Sequence, residues 1–123
     1  MKPTPAELEI LSVLWRFGEG TVRQVQSELE KAHPTGYTTV LKLMQIMAEK
    51  GLVVRDESER AHVYRPAVPK EATQRQLVGE MIERVFQGSA AQMVLQALSH
   101  KHASKKDVAD IRRMLDDYEG GKR

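Results

Sequence analysis

The stretch that decides the fold is TGYTTVLKLMQIMAEKGLVVRD, Thr35 to Asp56. After Gly36, apolar side chains recur with the spacing of one helix face, and Gly51 is a typical helix stop. The β-branched run LVVR, Leu52 to Arg55, follows at once and predicts a strand. The sequence therefore predicts a helix that leads directly into a strand, with threonines and no carboxylate at the start of the helix.

The two faces of this predicted helix differ in chemistry. The stripe that is expected to face the core is Val40, Leu43, Met44 and Met47. The side chains that are expected to point away are Thr38, Thr39, Leu41, Lys42 and Gln45. Thr, Lys and Gln can hydrogen-bond base edges or phosphates, and Leu41 can pack on a thymine methyl. This outward face is the predicted DNA-reading surface, although threonines near a helix start are also common as caps.

Two shorter helices are predicted before this one. Thr4 with Glu7, and Thr21 with Gln24, have the spacing of a capping box, and Pro5 occupies the first helical position. Each predicted helix has an apolar stripe to bury against its neighbours. The stripe of the first is Leu8, Leu11 and Trp15, and that of the second is Val22, Val25 and Leu29. These residues are interpreted as core.

A two-stranded hairpin is predicted after the third helix. The runs LVVR, Leu52 to Arg55, and HVYR, His62 to Arg65, flank the polar turn DESERA. Three helices followed by a hairpin is the order of a winged helix-turn-helix, in which the third helix enters the major groove and the hairpin reaches flanking phosphates. Arg60, His62 and Arg65 are the candidate phosphate contacts, and a solvated strand edge is the alternative interpretation of the two arginines.

The second half of the chain is predicted to be helical, because all five prolines lie within the first 69 residues. The predicted fold is mainly α with a small β-hairpin: a winged helix DNA-binding domain at 1–69 and a three-helix dimerisation domain at 70–123. The short helices of the dimerisation domain bury little apolar surface by themselves. Their apolar stripes are therefore expected to form a core between two protomers rather than to fold back on the winged helix. The candidate dimerisation residues are Leu77, Val78, Met81, Ile82, Val85, Phe86, Met93, Val94, Leu98, Ile111 and Leu115.

Composition excludes several classes of protein. The 123 residues contain no cysteine, which excludes disulfides, thiolate metal sites and thiol chemistry. Residues 1–69 hold nine Lys/Arg and nine Asp/Glu, and residues 70–123 hold the other ten and eight, so the net charge of +2 lies in the second half. No catalytic set stands out, no metal or other cofactor is predicted, and His100 and His102 are interpreted as solvated. With no predicted membrane span, a soluble cytoplasmic protein is expected.

The segments AELEILSVLW, TVRQV and YTTVLKLMQIMAEKGLVVRDESERAHVY resemble the penicillinase and methicillin-resistance repressor family. The resemblance implies a homodimeric repressor that binds a palindromic double-stranded operator. It places DNA recognition on Thr38, Thr39, Leu41, Lys42 and Gln45, and the wing contacts on Arg60, His62 and Arg65. In the antibiotic-linked members, a membrane sensor system induces cleavage within the dimerisation region.

The segment that matches the family's cleavage site is VLQALS, where Gln96-Ala97 stands in place of the usual Asn-Phe. This difference makes Gln96-Ala97 a candidate cleavage position that departs from the family pattern. Two other functions stay open at this point: a regulator that responds to a small molecule bound in an apolar pocket, and a winged helix used only for protein contacts. The steep salt dependence of DNA binding would distinguish a DNA-binding protein from the latter.

Overall fold

Three helices and a small sheet precede three further helices in the computed structural model, which describes residues 2–99 and 103–121. The elements in chain order are α1 Pro5–Phe17, β1 Gly20–Thr21, α2 Val22–Glu30, α3 Tyr37–Lys50, β2 Val53–Asp56, β3 Val63–Pro66, α4 Lys70–Arg84, α5 Ala90–Ser99 and α6 Lys105–Glu119. They form two compact units, Met1–Gln74 and Arg75–Arg123. The predicted fold class, mainly α with a small β element, is confirmed.

The starts of α1 and α2 follow the predicted capping chemistry. The Thr4 hydroxyl accepts a hydrogen bond from the Glu7 amide at 3.2 Å, and the Glu7 carboxylate accepts one from the Thr4 amide at 2.9 Å. Thr21 and Gln24 repeat this reciprocal pair at 3.2 and 2.8 Å. Because each box satisfies two amides that have no partner within the helix, the sequence fixes both helix starts locally.

The buried face of α1 differs from the predicted stripe. Ile10 and Leu14 are fully buried together with Leu11, whereas Leu8 and Trp15 are only half-buried. The helix packs against both α2 and α3, so its buried face is wider than one narrow stripe and is centred closer to Leu14. The Trp15 indole N–H instead donates a 2.9 Å hydrogen bond to the carbonyl of Val68, which ties the segment before α4 to α1.

The wing, defined here as the β2–β3 hairpin, belongs to a three-stranded antiparallel sheet in the order β1-β3-β2. The sequence predicts only two of these strands, because β1 is two residues long and has no strand pattern of its own. Gly20 pairs with Tyr64, and Thr21 pairs with Val63. The strand therefore connects the start of α2 to the wing through backbone hydrogen bonds.

The junction between α3 and the wing is tight, as the opening stretch predicts. Gly51 has a φ of 82°, a left-handed conformation that glycine adopts without steric cost. The Leu52 amide then donates to the Met47 carbonyl at 2.9 Å, and Leu52 is buried. The end of α3 consequently fixes where β2 begins.

The second unit contains α5, α6 and most of α4. The Ser104 hydroxyl caps α6 by accepting a hydrogen bond from the Asp107 amide at 3.0 Å. Val85 and Phe86 lie beyond the end of α4, and the turn that follows includes Gln87 at a φ of 48°. Neither α5 nor α6 has a buried residue among those described. No helix in the described part of the chain is long and apolar enough to cross a membrane.

Candidate nucleic-acid interface

The outward face of α3 presents polar side chains as predicted, with one correction. Thr38, Thr39, Lys42 and Gln45 are all exposed. Leu41 is half-buried and packs against the core cluster, so the expectation that it points fully outward is only partly right. The reason is geometric: Leu41 follows the buried Val40, and its side chain lies at the edge of the packed face.

The threonines of α3 do not cap the helix. Gly36 is the N-cap residue, and no side chain forms a cap hydrogen bond there. The first turn also lacks an acid, so no carboxylate offsets the partial positive charge at this end of the helix. The alternative interpretation of Thr38 and Thr39 as caps is therefore removed, and their exposed hydroxyls remain available for an external partner.

A cleft of about 410 Å³ lies between α3 and the wing, and it brings together four of the eight predicted DNA contacts: Leu41, Gln45, Arg60 and His62. Arg23, Tyr37 and Arg55 line the same cleft, and sequence reasoning missed them. No acidic side chain is among the residues lining the cleft in the described part of the chain. The cleft is thus a local basic site on a unit whose overall charge is balanced.

Arg23, on α2, has a defined position in this cleft. Its guanidinium lies 5.0 Å from the centroid of the Tyr37 ring, a cation–π arrangement. Sequence spacing alone does not predict this contact, since it depends on how α2 packs against α3. Arg55 lies on β2, where its guanidinium is 2.7 Å from the Glu57 carboxylate. A hydrogen bond with Tyr64 raises the pKa of Arg55, so its charge is permanent.

Arg65 is not among the residues that line the cleft. Successive side chains of a strand point to opposite faces, and the neighbouring Tyr64 is the one that lines the cleft. Arg65 instead lies 3.5 Å from the Glu19 carboxylate. The eight candidate contacts therefore do not form a single surface: Arg60 and His62 lie beside α3, and Arg65 lies on the other face of the wing.

The acidic residues of the turn in the wing are partly engaged within it. The Asp56 carboxylate accepts a hydrogen bond from the Ser58 amide at 2.9 Å, and this bond lowers the pKa of Asp56. Glu57 is held by Arg55. Local pairing thus occupies two of the carboxylates that otherwise oppose an approaching phosphate.

The candidate dimerisation residues are largely uncovered in the single chain. Met81 is 49% exposed, Val85 59% and Leu115 55%. Val78, Val94 and Leu98 are also exposed, and the half-buried members are Leu77, Ile82, Phe86, Met93 and Ile111. Tyr118 lies on the same apolar stripe of α6 and is 69% exposed, and the neighbouring Met114 is 64% exposed. Exposed apolar surface of this extent is typical of a surface that forms a subunit interface.

The candidate cleavage position lies within α5, where Gln96 and Ala97 are both exposed. Ala97 also lines a groove of about 280 Å³ between α5 and α6. His100 and His102 lie outside the described residues.

Comparison with known proteins agrees with this geometry. The model of the penicillinase repressor family matches residues 3–117. The transcriptional regulator BlaI of Mycobacterium tuberculosis is 30% identical over 118 residues, covering 94% of this chain and 83% of that protein. The penicillinase repressor of Bacillus licheniformis is 22% identical over 118 residues, covering 96% and 92%.

Among solved structures, the chain resembles a DNA-binding domain over part of its length. The solution structure of the DNA-binding domain of the repressor BlaI matches with a TM-score of 0.50 and 26% sequence identity. The match covers 57% of this chain and 90% of that domain.

Proposed function

Because the chain belongs to the penicillinase repressor family, whose members are transcriptional repressors and not enzymes, we propose that it is a cytoplasmic homodimeric repressor that binds a palindromic operator. In this proposal each protomer places α3 in the major groove of one half-site and its wing beside the flanking backbone. Its partners are double-stranded DNA and a second copy of itself, and it needs no cofactor.

The observation that carries the proposal is the surface formed by α3 and the adjoining cleft. Lys42 and Gln45 are exposed on a helix face that has no acid in its first turn, and Arg60 and His62 line the cleft beside it. Base edges in the major groove present acceptors that ammonium and amide groups can reach, while guanidinium groups suit phosphates. This distribution supports base reading by α3 and backbone contact by the wing.

The second unit supports dimerisation. Its helices bury none of their large apolar side chains in the single chain, so a second copy would supply the missing partner surface. A two-fold dimer would present two equivalent α3 helices, and two half-sites in inverted orientation are the DNA counterpart of that symmetry. Tethering two modest half-site contacts would raise the affinity well above that of either.

Induction by cleavage of α5 is part of the proposal. Gln96-Ala97 is exposed but lies inside a regular helix, so a protease would have to bind a locally unfolded segment. Cleavage there would divide the apolar stripe of the second unit. The two protomers, and with them the two half-site contacts, would then no longer be held together. Co-expression with a membrane sensor protease of a related repressor system, followed by mass analysis of the chain, tests this step; an intact α5 would oppose it.

Selection from random duplexes tests the repressor function directly. Duplexes retained by the full chain should converge on an inverted repeat, and a titration should then show that this duplex binds far more tightly than a scrambled one at the same salt concentration. Retained duplexes without any shared sequence, or binding without salt dependence, would argue instead for a protein-contact role.

A further inference from the structure

We propose that the cleft between α3 and the wing binds one phosphate of the DNA backbone, with Arg23 as the side chain that holds it. This inference rests on the proposed function and deepens it, because it identifies a contact that lies on neither α3 nor the wing. The chemical class bound is a phosphodiester of double-stranded DNA.

Arg23 differs from its neighbours in having no carboxylate partner. Arg16 pairs with Glu28 at 2.7 Å and Arg55 pairs with Glu57 at 2.7 Å, whereas no ion pair of Arg23 occurs among the described residues. Its guanidinium instead lies against the Tyr37 ring. A ring holds a guanidinium in place without neutralising it, so the charge of Arg23 is not offset by this contact.

The side of Arg23 that lines the cleft favours an anion, whereas Glu19 and Glu28 line a separate pocket that Arg23 also borders. Arg55 and Arg60 line the opposite side of the cleft, and no Asp or Glu lines it within the described residues. Glu57 offsets the charge of Arg55, whereas Arg23 and Arg60 have no carboxylate partner among the described residues, so an anion in the cleft would be attracted to both of these guanidinium groups. Because the planar fork of a guanidinium matches the oxygens of a phosphate, a phosphate fits this arrangement well.

The position of Arg23 in the fold favours a contact with the DNA backbone rather than with a base. Arg23 is on α2, the helix that precedes α3, and in a helix-turn-helix this first helix crosses the DNA backbone while the second reads the bases. The strand β1 fixes the start of α2 to the wing through Thr21 and Val63, so the two sides of the cleft are held together. A phosphate bound there would set the depth at which α3 enters the groove.

The test compares two arginines that each lie over an aromatic ring. Arg16 also lies over an aromatic ring, 4.6 Å from the centroid of Phe17, but it is not among the residues lining the cleft. Arg23→Ala should weaken binding of the selected duplex and of a scrambled duplex alike, by about ten-fold. The slope of log affinity against log salt should fall by about one unit per protomer. Arg16→Ala should leave both quantities unchanged.

Two further variants test the role of the ring. Tyr37→Phe keeps the ring and should bind nearly as the parent chain does. Tyr37→Leu removes the ring but not the charge, so it should weaken binding less than Arg23→Ala and leave the salt slope unchanged. Circular dichroism and thermal melting of each variant show that the fold is retained.

Three outcomes would overturn the inference. The first is an Arg23→Ala protein that binds DNA as Arg16→Ala does. The second is a loss of affinity confined to the selected duplex, which would indicate base reading. The third is saturation of the cleft by inorganic pyrophosphate in an Arg23-dependent way while DNA affinity is insensitive to Arg23, which would assign the cleft to a free anion. A parent chain that does not prefer its selected duplex would instead contradict the repressor function itself, and the two failures are therefore distinguishable.

Discussion

Lys50, the last residue of α3, places its ammonium 2.7 Å from one carboxylate oxygen of Glu7 and 3.0 Å from the other. Glu7 lies in the first turn of α1, and its side chain is only 3% exposed. The same carboxylate accepts the Thr4 amide in the capping box. One buried acid thus fixes both the start of α1 and the end of α3, the helix that is proposed to read DNA.

The first prediction is that Glu7→Gln lowers the free energy of unfolding by about 1 to 3 kcal/mol, because a charge-assisted pair is lost and Lys50 retains a route to solvent. Urea unfolding measures the change. Glu28→Gln is the control, since its partners Arg16 and Lys31 are well exposed and surface pairs contribute little. Equal effects of the two substitutions would contradict the assigned role of the buried pair.

The same pair should also affect the pH dependence of stability. Burial raises the pKa of Glu7, but hydrogen bonds from Lys50 and Thr4 outweigh it, and the net pKa is lowered below the ordinary 4.5. As the pH falls, the Glu7 carboxylate therefore takes up its proton in the unfolded chain before it does so in the folded chain. The stabilisation that is present above pH 4.5 is lost as the pH falls through the lower pKa of Glu7 in the folded chain. Glu7→Gln should lose less stability than the parent chain over this acid range.

The second prediction separates a capping threonine from a DNA-facing one. Thr21→Ala should destabilise the fold by about 1 kcal/mol, because Thr21 caps α2. Thr38→Ala should leave the unfolding free energy nearly unchanged and weaken operator binding instead, since Gly36 is the N-cap of α3. Denaturant unfolding and DNA titration of both variants provide the comparison. A destabilised Thr38→Ala protein would show that the hydroxyl has a structural role.

The third prediction concerns base reading. Lys42→Ala and Gln45→Ala should each weaken operator binding by about 1 to 3 kcal/mol and reduce the preference over scrambled DNA, because both side chains are exposed on α3. Glu49→Ala, at another exposed position of the same helix, is the matched control. Binding isotherms with the two duplexes measure the preference, and an undiminished preference in both variants would refute base reading by these residues.

The fourth prediction distinguishes the two arginines of the wing. Arg60→Ala should weaken binding to all duplexes and lower the salt slope by about one unit per protomer, because Arg60 lines the cleft and forms no ion pair among the described residues. Arg65→Ala should have a smaller effect, since Glu19 already offsets its charge and it is not among the cleft-lining residues. Affinities measured over a salt series provide the test, and a larger effect of Arg65→Ala would reverse this order.

The fifth prediction concerns assembly. Val85→Asp places a charge at an apolar position that is 59% exposed in the single chain, and in a dimer core it should cost several kcal/mol, on the order of 3 to 5. Sedimentation should then show a monomer, and operator affinity should fall by orders of magnitude as tethering is lost. Gln76→Asp, an exposed polar position of α4, controls for the added charge. A Val85→Asp protein that remains dimeric would exclude this residue from the interface.

The sequence by itself determined the local structure. The capping boxes at Thr4, Thr21 and Ser104, and the glycine stop at Gly51, depend on residues three or fewer positions apart or on the backbone freedom of one residue. The outward polarity of Lys42 and Gln45 follows from helical period alone. Such features are decided within one or two turns of chain, so a sequence pattern is sufficient to predict them.

Tertiary structure decided everything that depends on residues distant in the chain. The strand β1 exists because β3 supplies its hydrogen-bond partners, and two residues carry no strand signal of their own. The position of Arg23 over Tyr37, the separation of Arg65 from the cleft and the burial of Glu7 under Lys50 all follow from how helices pack and which face a strand presents. Packing geometry joins residues that no local period relates, and for this reason the basic cleft became apparent only in the folded chain.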